Sequence, residues 1–92
     1  MSTQTIERPS TSAKLAPRYR VLLHNDDYNT MEYVVQCLLE VVNVLTQPQA
    51  VEIMLEAHNN GVALVTTCVK EHAEFYAEGL CSKGLTSTIE PE

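Results

Sequence analysis

Ten consecutive residues, Leu23-His24-Asn25-Asp26-Asp27-Tyr28-Asn29-Thr30-Met31-Glu32, bring together the densest chemistry of this 92-residue chain. Asn25, Asp26 and Asp27 crowd amide and carboxylate oxygens into three positions, while Leu23 before them and Met31 and Val34 after them are apolar. Adjacent carboxylates can serve as catalytic acid and base, as metal ligands, as acceptors for a cation, or as solvated turn residues. The flanking residues narrow this: a junction of oxygens and apolar side chains suits a ligand that is cationic at one end and apolar at the other. A second polar residue of interest, His58, follows Met54 and Ala57 on a stretch with helical spacing.

Other chemistries find less support. Hard-cation loops alternate their oxygen ligands over a longer stretch, and no second carboxylate cluster accompanies Asp26 and Asp27. His24, His58 and His72 share no ligand spacing, and none of Cys37, Cys68 and Cys81 lies at a zinc-like interval from them, so no metal or other cofactor is expected. No Ser or Cys sits in a nucleophile motif and no glycine-rich phosphate loop occurs, which leaves hydrolase and nucleotide chemistry unsupported. The three cysteines form no CxxC pair and are expected to be buried free thiols rather than a disulfide framework. A net charge of −6, with six Lys plus Arg, disfavours nucleic acid and anionic membranes and favours a cationic group or a basic partner.

These residues need elements to position them. Met1 to Pro17 is rich in Ser, Thr and Pro, has no periodicity, lacks the apolar centre of a secretory signal, and reads as a flexible tail before one domain, 18–92. No apolar run approaches the roughly 20 residues of a membrane span. Tyr19 to His24 alternates as a strand, with Tyr19, Val21 and Leu23 on one face, and Asn25 to Tyr28 is then a turn. Asn29 is placed to cap the next helix with Glu32 reaching back, and Met31, Val34, Val35, Leu38, Val41, Val42 and Leu45 recur at helical spacing. Thr46-Gln47-Pro48-Gln49 has the form of a capping box with Pro in the first turn, and Asn59-Asn60-Gly61 supplies a left-handed stop. Val62 to Thr67 favours a strand, Lys70 to Ser82 a helix with a poorly capped start, and Leu85 to Glu90 a last strand that stops at Pro91. The order β-α-α-β-α-β predicts an α+β domain: a three-stranded antiparallel sheet with three helices packed on one face.

Two motifs carry a resemblance. The run Asn25-Asp26-Asp27-Tyr28, then Asn29-Thr30, then Met31-Glu32-Tyr33-Val34, with Met54-Leu55-Glu56-Ala57-His58 and Gly61 downstream, resembles the two signatures of the ClpS family of Clp protease adaptors. The resemblance runs from about Tyr19 to Glu90. It implies a non-enzymatic, cytoplasmic, monomeric adaptor that binds proteins bearing N-terminal Phe, Tyr, Leu or Trp and delivers them to the N-terminal domain of a Hsp100 unfoldase, ClpA or ClpC. By the same resemblance, Asn25, Asp26, Asp27 and His58 surround the N-terminal ammonium. Leu23, Asn29, Met31, Val34, Met54, Ala57 and Leu85 would wall the hole for the first side chain, and Glu71 and Tyr76 would meet the unfoldase. Asn29-Thr30 stands where Thr-Pro is more usual, Ala57 where Val is, and Tyr76 where Lys is commoner. The alternative is a ClpS-fold regulator that binds the unfoldase without carrying substrates.

Overall fold

The structure, a computed structural model, describes residues 16–92. The expectation of a flexible tail over Met1 to Pro17 therefore lies almost wholly outside the described residues. Six elements follow in the predicted order: β1 (Arg18–His24), α1 (Met31–Val41), α2 (Gln47–Asn60), β2 (Val62–Val69), α3 (Lys70–Ser82) and β3 (Thr86–Pro91). The sheet is antiparallel in the order β2-β1-β3, so β1, which leads into the acidic turn, is the central strand. Pro91, with no N–H to donate, falls at the end of an edge strand, where that loss is tolerated.

The alternation read in β1 places Val21 and Leu23 inward, where they pack with Leu38, Val42, Ile53, Ala57, Ala73 and Leu80 of the helices. The opposite sheet face stays open: Leu64 and Val62 are exposed there, opposite Leu22 and His24 of β1, so β2 is buried on one face only. The register between β1 and β2 shifts at Val21/Leu22, a bulge in an otherwise regular ladder.

Helix ends follow side-chain chemistry. At α2, Thr46 Oγ1 accepts from Gln49 N–H and the Gln49 side chain accepts from Thr46 N–H, the reciprocal pair expected of the box. Gly61, at φ +92°, closes the helix with its N–H donating to the Ala57 carbonyl at 2.8 Å, a conformation that costs a residue without Cβ little. At α1 the expectation is corrected: Thr30, not Asn29, is the cap, its hydroxyl accepting from Tyr33 N–H at 3.1 Å. Asn29 is drawn elsewhere by its own amide. α1 also stops at Val41, although the apolar spacing runs on to Leu45; Leu45 N–H instead turns back to the Val42 carbonyl. As expected, α3 begins without a side-chain cap. All three cysteines are free, but only Cys37 is buried: Cys68 is half-buried and Cys81 exposed, which corrects the expectation of three buried thiols.

Candidate functional site

The acidic turn and the end of α2 meet because the sheet makes them meet. α2 stops at Gly61, the chain enters β2 at once, and β2 pairs with β1 through Leu23↔Ala63 and His24↔Val62. One further backbone bond, Asn25 N–H to the Gly61 carbonyl at 2.9 Å, extends the ladder past the strand. Asn25 is thereby fastened to the residue that terminates the helix bearing His58.

The turn is held by its own side chains. Asp26 Oδ1 accepts from the Tyr28 N–H at 2.9 Å and the Asn29 N–H at 3.0 Å, and the Asn29 amide donates to both Asp26 carboxylate oxygens and to the Gly84 carbonyl at 3.0 Å. Burial works against the ionised Asp26 carboxylate, but these bonds from Asn29 and Tyr28 outweigh it and hold the carboxyl below its ordinary value. Asn29 also ties the turn across to the start of the last strand, and Tyr33 repeats the link, its hydroxyl donating to the Lys83 carbonyl at 2.7 Å.

Around this frame lies a hollow lined by Leu23, His24, Asn25, Asp26, Asn29, Met31, Val34, Met54, Ala57 and His58. Its floor is apolar, with Leu23, Met54 and Ala57 buried, and its rim carries the polar groups of Asn25, Asp26 and His58. The C-terminal end of α2 adds its partial negative charge to that rim, which favours a cation there. As it stands the hollow measures about 30 Å³, room for about two water molecules and no more. A Leu or Phe side chain enters only if Met31, 42% exposed, and Met54 swing aside, a movement that unbranched thioether side chains make easily.

Of the eleven residues expected around the ligand, nine line the hollow and two do not. Asp27 is exposed and outside it, pointing the turn's second carboxylate to solvent. Leu85 is buried in the core just past the helix stop, its N–H donating to the Leu80 carbonyl at 3.1 Å, and does not line the hollow. His24 lines the hollow without having been assigned to it; its Nε2 and Thr88 Oγ1 are 2.7 Å apart. Strand alternation assigned it to the outer face, and nothing in the spacing shows that the last residue of β1 borders both.

On α3, Glu71 is exposed as expected, but Tyr76 is half-buried and packed against the core. Phe75 takes the exposed position, 66% accessible, with its ring edge-on to Tyr76 at 6.0 Å between centroids. The sequence held that signal: helical spacing puts Ala73, Tyr76, Ala77, Leu80 and Cys81 on one stripe, and Phe75 is the bulkiest apolar residue off it, although Cys81 itself proves exposed. Among the described residues no cluster of His, Cys, Asp or Glu is arranged to hold a metal ion, and no helix is long and apolar enough to cross a membrane.

Comparison with known proteins places these features. Residues 14–88 match the family model described as ATP-dependent Clp protease adaptor protein ClpS. The ATP-dependent Clp protease adapter protein ClpS of Synechococcus elongatus is 62% identical over 100% of this chain and 99% of its own, and that of Gloeobacter violaceus is 52% identical over 100% and 99%. The chloroplastic CLPS1 of Chlamydomonas reinhardtii is 54% identical over 95% of this chain and 56% of its own. Among solved structures, Agrobacterium tumefaciens ClpS2 bound to L-phenylalaninamide superposes with a TM-score of 0.75 at 34% identity, over 84% of this chain and 99% of that one.

Proposed function

The chain belongs to the ClpS family of ATP-dependent Clp protease adaptors, and we propose that its hollow receives the N-terminal residue of substrate proteins, with the charged amine at the polar rim and a bulky apolar side chain on the apolar floor. One observation carries the reading: Asn25, Asp26 and His58 stand at the mouth of a hollow floored by Leu23, Val34, Met54 and Ala57. A protonated α-amino group has three N–H donors and a positive charge, and oxygens and an imidazole nitrogen satisfy both. Each charge-assisted bond contributes about 1.5 to 3 kcal/mol, and burying a Leu or Phe side chain a similar amount, so a micromolar affinity needs both halves. Asp27, lying outside the hollow, acts in this reading through its field or after a turn of its side chain. The phenylalanine derivative in the Agrobacterium relative has the same combination of amine and apolar ring.

The second half of the function is delivery. Glu71, Phe75 and the neighbouring Glu74 and Glu78 form an outward face on α3 that suits a basic, apolar patch on the N-terminal domain of a Hsp100 unfoldase, ClpC or ClpA, in the cytoplasm. Tyr76 supports Phe75 from behind. The chain then carries out no reaction of its own, and acts as a monomer that tethers substrate to the unfoldase.

The decisive experiment is binding across peptides that differ only in their first residue, together with an N-acetylated copy of each. Free peptides starting with Phe, Tyr, Leu or Trp should bind, those starting with Ser or Glu should not, and acetylation should cost at least about a hundredfold, since it removes two or more charge-assisted bonds. An acetylated peptide that binds within a few-fold of the free one defeats the amine site. A chain that binds the unfoldase but no peptide is instead a regulator without cargo.

A further inference from the structure

The hollow is not the largest depression beside Met31 and Met54. On their other side an open groove of about 580 Å³ runs between α1 and α2, lined by Met31, Val35 and Leu39 from one helix and Val51 and Met54 from the other. We propose that this groove is a second substrate subsite, which takes residues two to five of the same chain whose N-terminus occupies the hollow. The inference rests on that reading of the hollow and extends it to the polypeptide that follows the first residue.

Three observations select this occupant. Met31 and Met54 line both depressions, so the two adjoin at these side chains, and a chain that leaves the hollow past them meets the groove. The length fits: from Met31 to Leu39 α1 rises about 12 Å at 1.5 Å per residue, the span of about four extended residues. A chain leaving the hollow in extended form alternates its side chains, so every second one faces the apolar strip.

Charge sets the chemistry of those residues. Glu32 stands on the groove's rim and takes part in no ion pair among the described residues, whereas Glu40 is held by Lys83 at 3.0 Å and by the Gln36 amide. With Asp26 in the adjoining hollow and −6 on the whole chain, the groove disfavours acidic residues and accepts basic and apolar ones. Val51 is half-buried in the groove wall on the surface of α2 and does not line the hollow, which makes it the position at which to separate the two sites.

The test compares Phe-Arg-amide with Phe-Arg-Ala-Leu-Val-Ser-amide by titration calorimetry, on the full chain and on Val51→Lys. The longer peptide should bind wild type about tenfold more tightly, and Val51→Lys should erase that advantage while leaving Phe-Arg-amide within about twofold. Replacing Arg by Glu at the second position should weaken the longer peptide several-fold, and Glu32→Gln should reduce that penalty. Equal affinities of the two peptides for wild type, or a length advantage that survives Val51→Lys, overturn the groove while leaving the hollow intact. Failure of both peptides to bind defeats the reading of the hollow itself. A wild-type dimer in sedimentation that Val51→Lys dissociates gives the groove to a second copy and likewise overturns the proposal. Thermal melts of both variants exclude a folding defect, and a third variant on the opposite wall, Val35→Lys, must repeat the Val51→Lys pattern.

Discussion

The rim of the hollow and the outward face of α3 are built from similar side chains in opposite geometries. At the rim, Asp26, Asn29, Asn25 and the ends of two elements are bonded to one another through backbone N–H and carbonyl groups before any ligand arrives. On α3, Glu71, Glu74 and Glu78 surround an exposed Phe75, and the three carboxylates take part in no side-chain hydrogen bond or ion pair among the described residues. Concave and pre-bonded, the first can recognise a small group at fixed distance with little ordering cost. Exposed and without side-chain bonds of its own, the second suits a broad protein surface, where an aromatic anchor contributes most of the energy and charges steer the encounter.

If that contrast is right, the two surfaces fail separately, and the largest expected effect tests this. His58→Ala should weaken a Phe-first peptide on the order of ten- to hundredfold, the loss of one charge-assisted bond, and leave unfoldase binding unchanged. Phe75→Ala and Glu71→Ala should do the reverse, the aromatic change more strongly than the charge. Peptide titration and an unfoldase pull-down on the same preparations check both, and a variant that loses both partners while melting normally breaks the comparison.

A smaller effect asks whether the two surfaces are mechanically independent. Gly79 lies where α3 passes α1, and a Cβ built there falls 2.7 Å from Val41 Cγ1. Val is stiff about χ1, so the helices must part slightly. Overpacking costs about 1–3 kcal/mol, against about 1 kcal/mol gained by replacing helical Gly with Ala. Gly79→Ala should therefore lower stability by about 1 kcal/mol in denaturant titration and leave peptide affinity within about twofold. A stabilised variant shows that Val41 yields freely; a large loss of peptide affinity shows that the α1–α3 contact reaches the hollow.

The same contrast explains what could be read from the sequence. All six elements and their order were legible because each has a local signal: alternation in β1, the box at Thr46, the left-handed stop at Gly61, the stripe on α3. The stop of α1 at Val41 was hidden, since the apolar spacing continues to Leu45 and no Gly or Pro marks the end. The cap was misplaced for a related reason. Asn29 and Thr30 are both good caps, and only the positions of Asp26 and the Gly84 carbonyl, the latter 55 residues away in sequence, decide that the Asn side chain is engaged elsewhere. Leu85 and Tyr76 illustrate the same limit. Spacing puts both on an apolar side, but whether that side faces the hollow, the core or solvent is decided by tertiary packing.

Next in size is a change of preference within the hollow. Ala57 is buried in its floor, three residues from Met54, and Val there adds two methyl groups to a space already tight. At about 0.8 kcal/mol per buried carbon, Ala57→Val should shift the ratio of Phe-first to Leu-first affinity towards Leu by about two- to fourfold, with the methionines absorbing part of the change. A ratio that does not move removes Ala57 from the determinants of specificity.

The smallest expected effect concerns what holds the rim together. Asp26 has a carboxyl pushed below its ordinary value near 3.8, burial opposing and the bonds from Asn29 and Tyr28 prevailing. A depressed carboxylate binds its proton less readily folded than unfolded, so it stabilises the fold above about pH 3.8 and loses that contribution as pH falls through its lower folded value. Asp26 is half-buried on a surface turn and meets no cation there among the described residues, so the contribution is small and salt-sensitive. Glu40, lowered by Lys83 and Gln36, acts in the same direction and keeps part of the acid dependence in any single variant. Asp26→Asn retains one oxygen acceptor for the Tyr28 and Asn29 N–H groups but no titrating charge. Its stability should lie slightly below wild type at pH 7, and the gap should close below pH 4. Urea midpoints at pH 7, 4 and 3 measure this. A gap that widens in acid would mean that Asp26 is worth more protonated than ionised, and the rim would then owe its order to Asn29 and Gly84 alone.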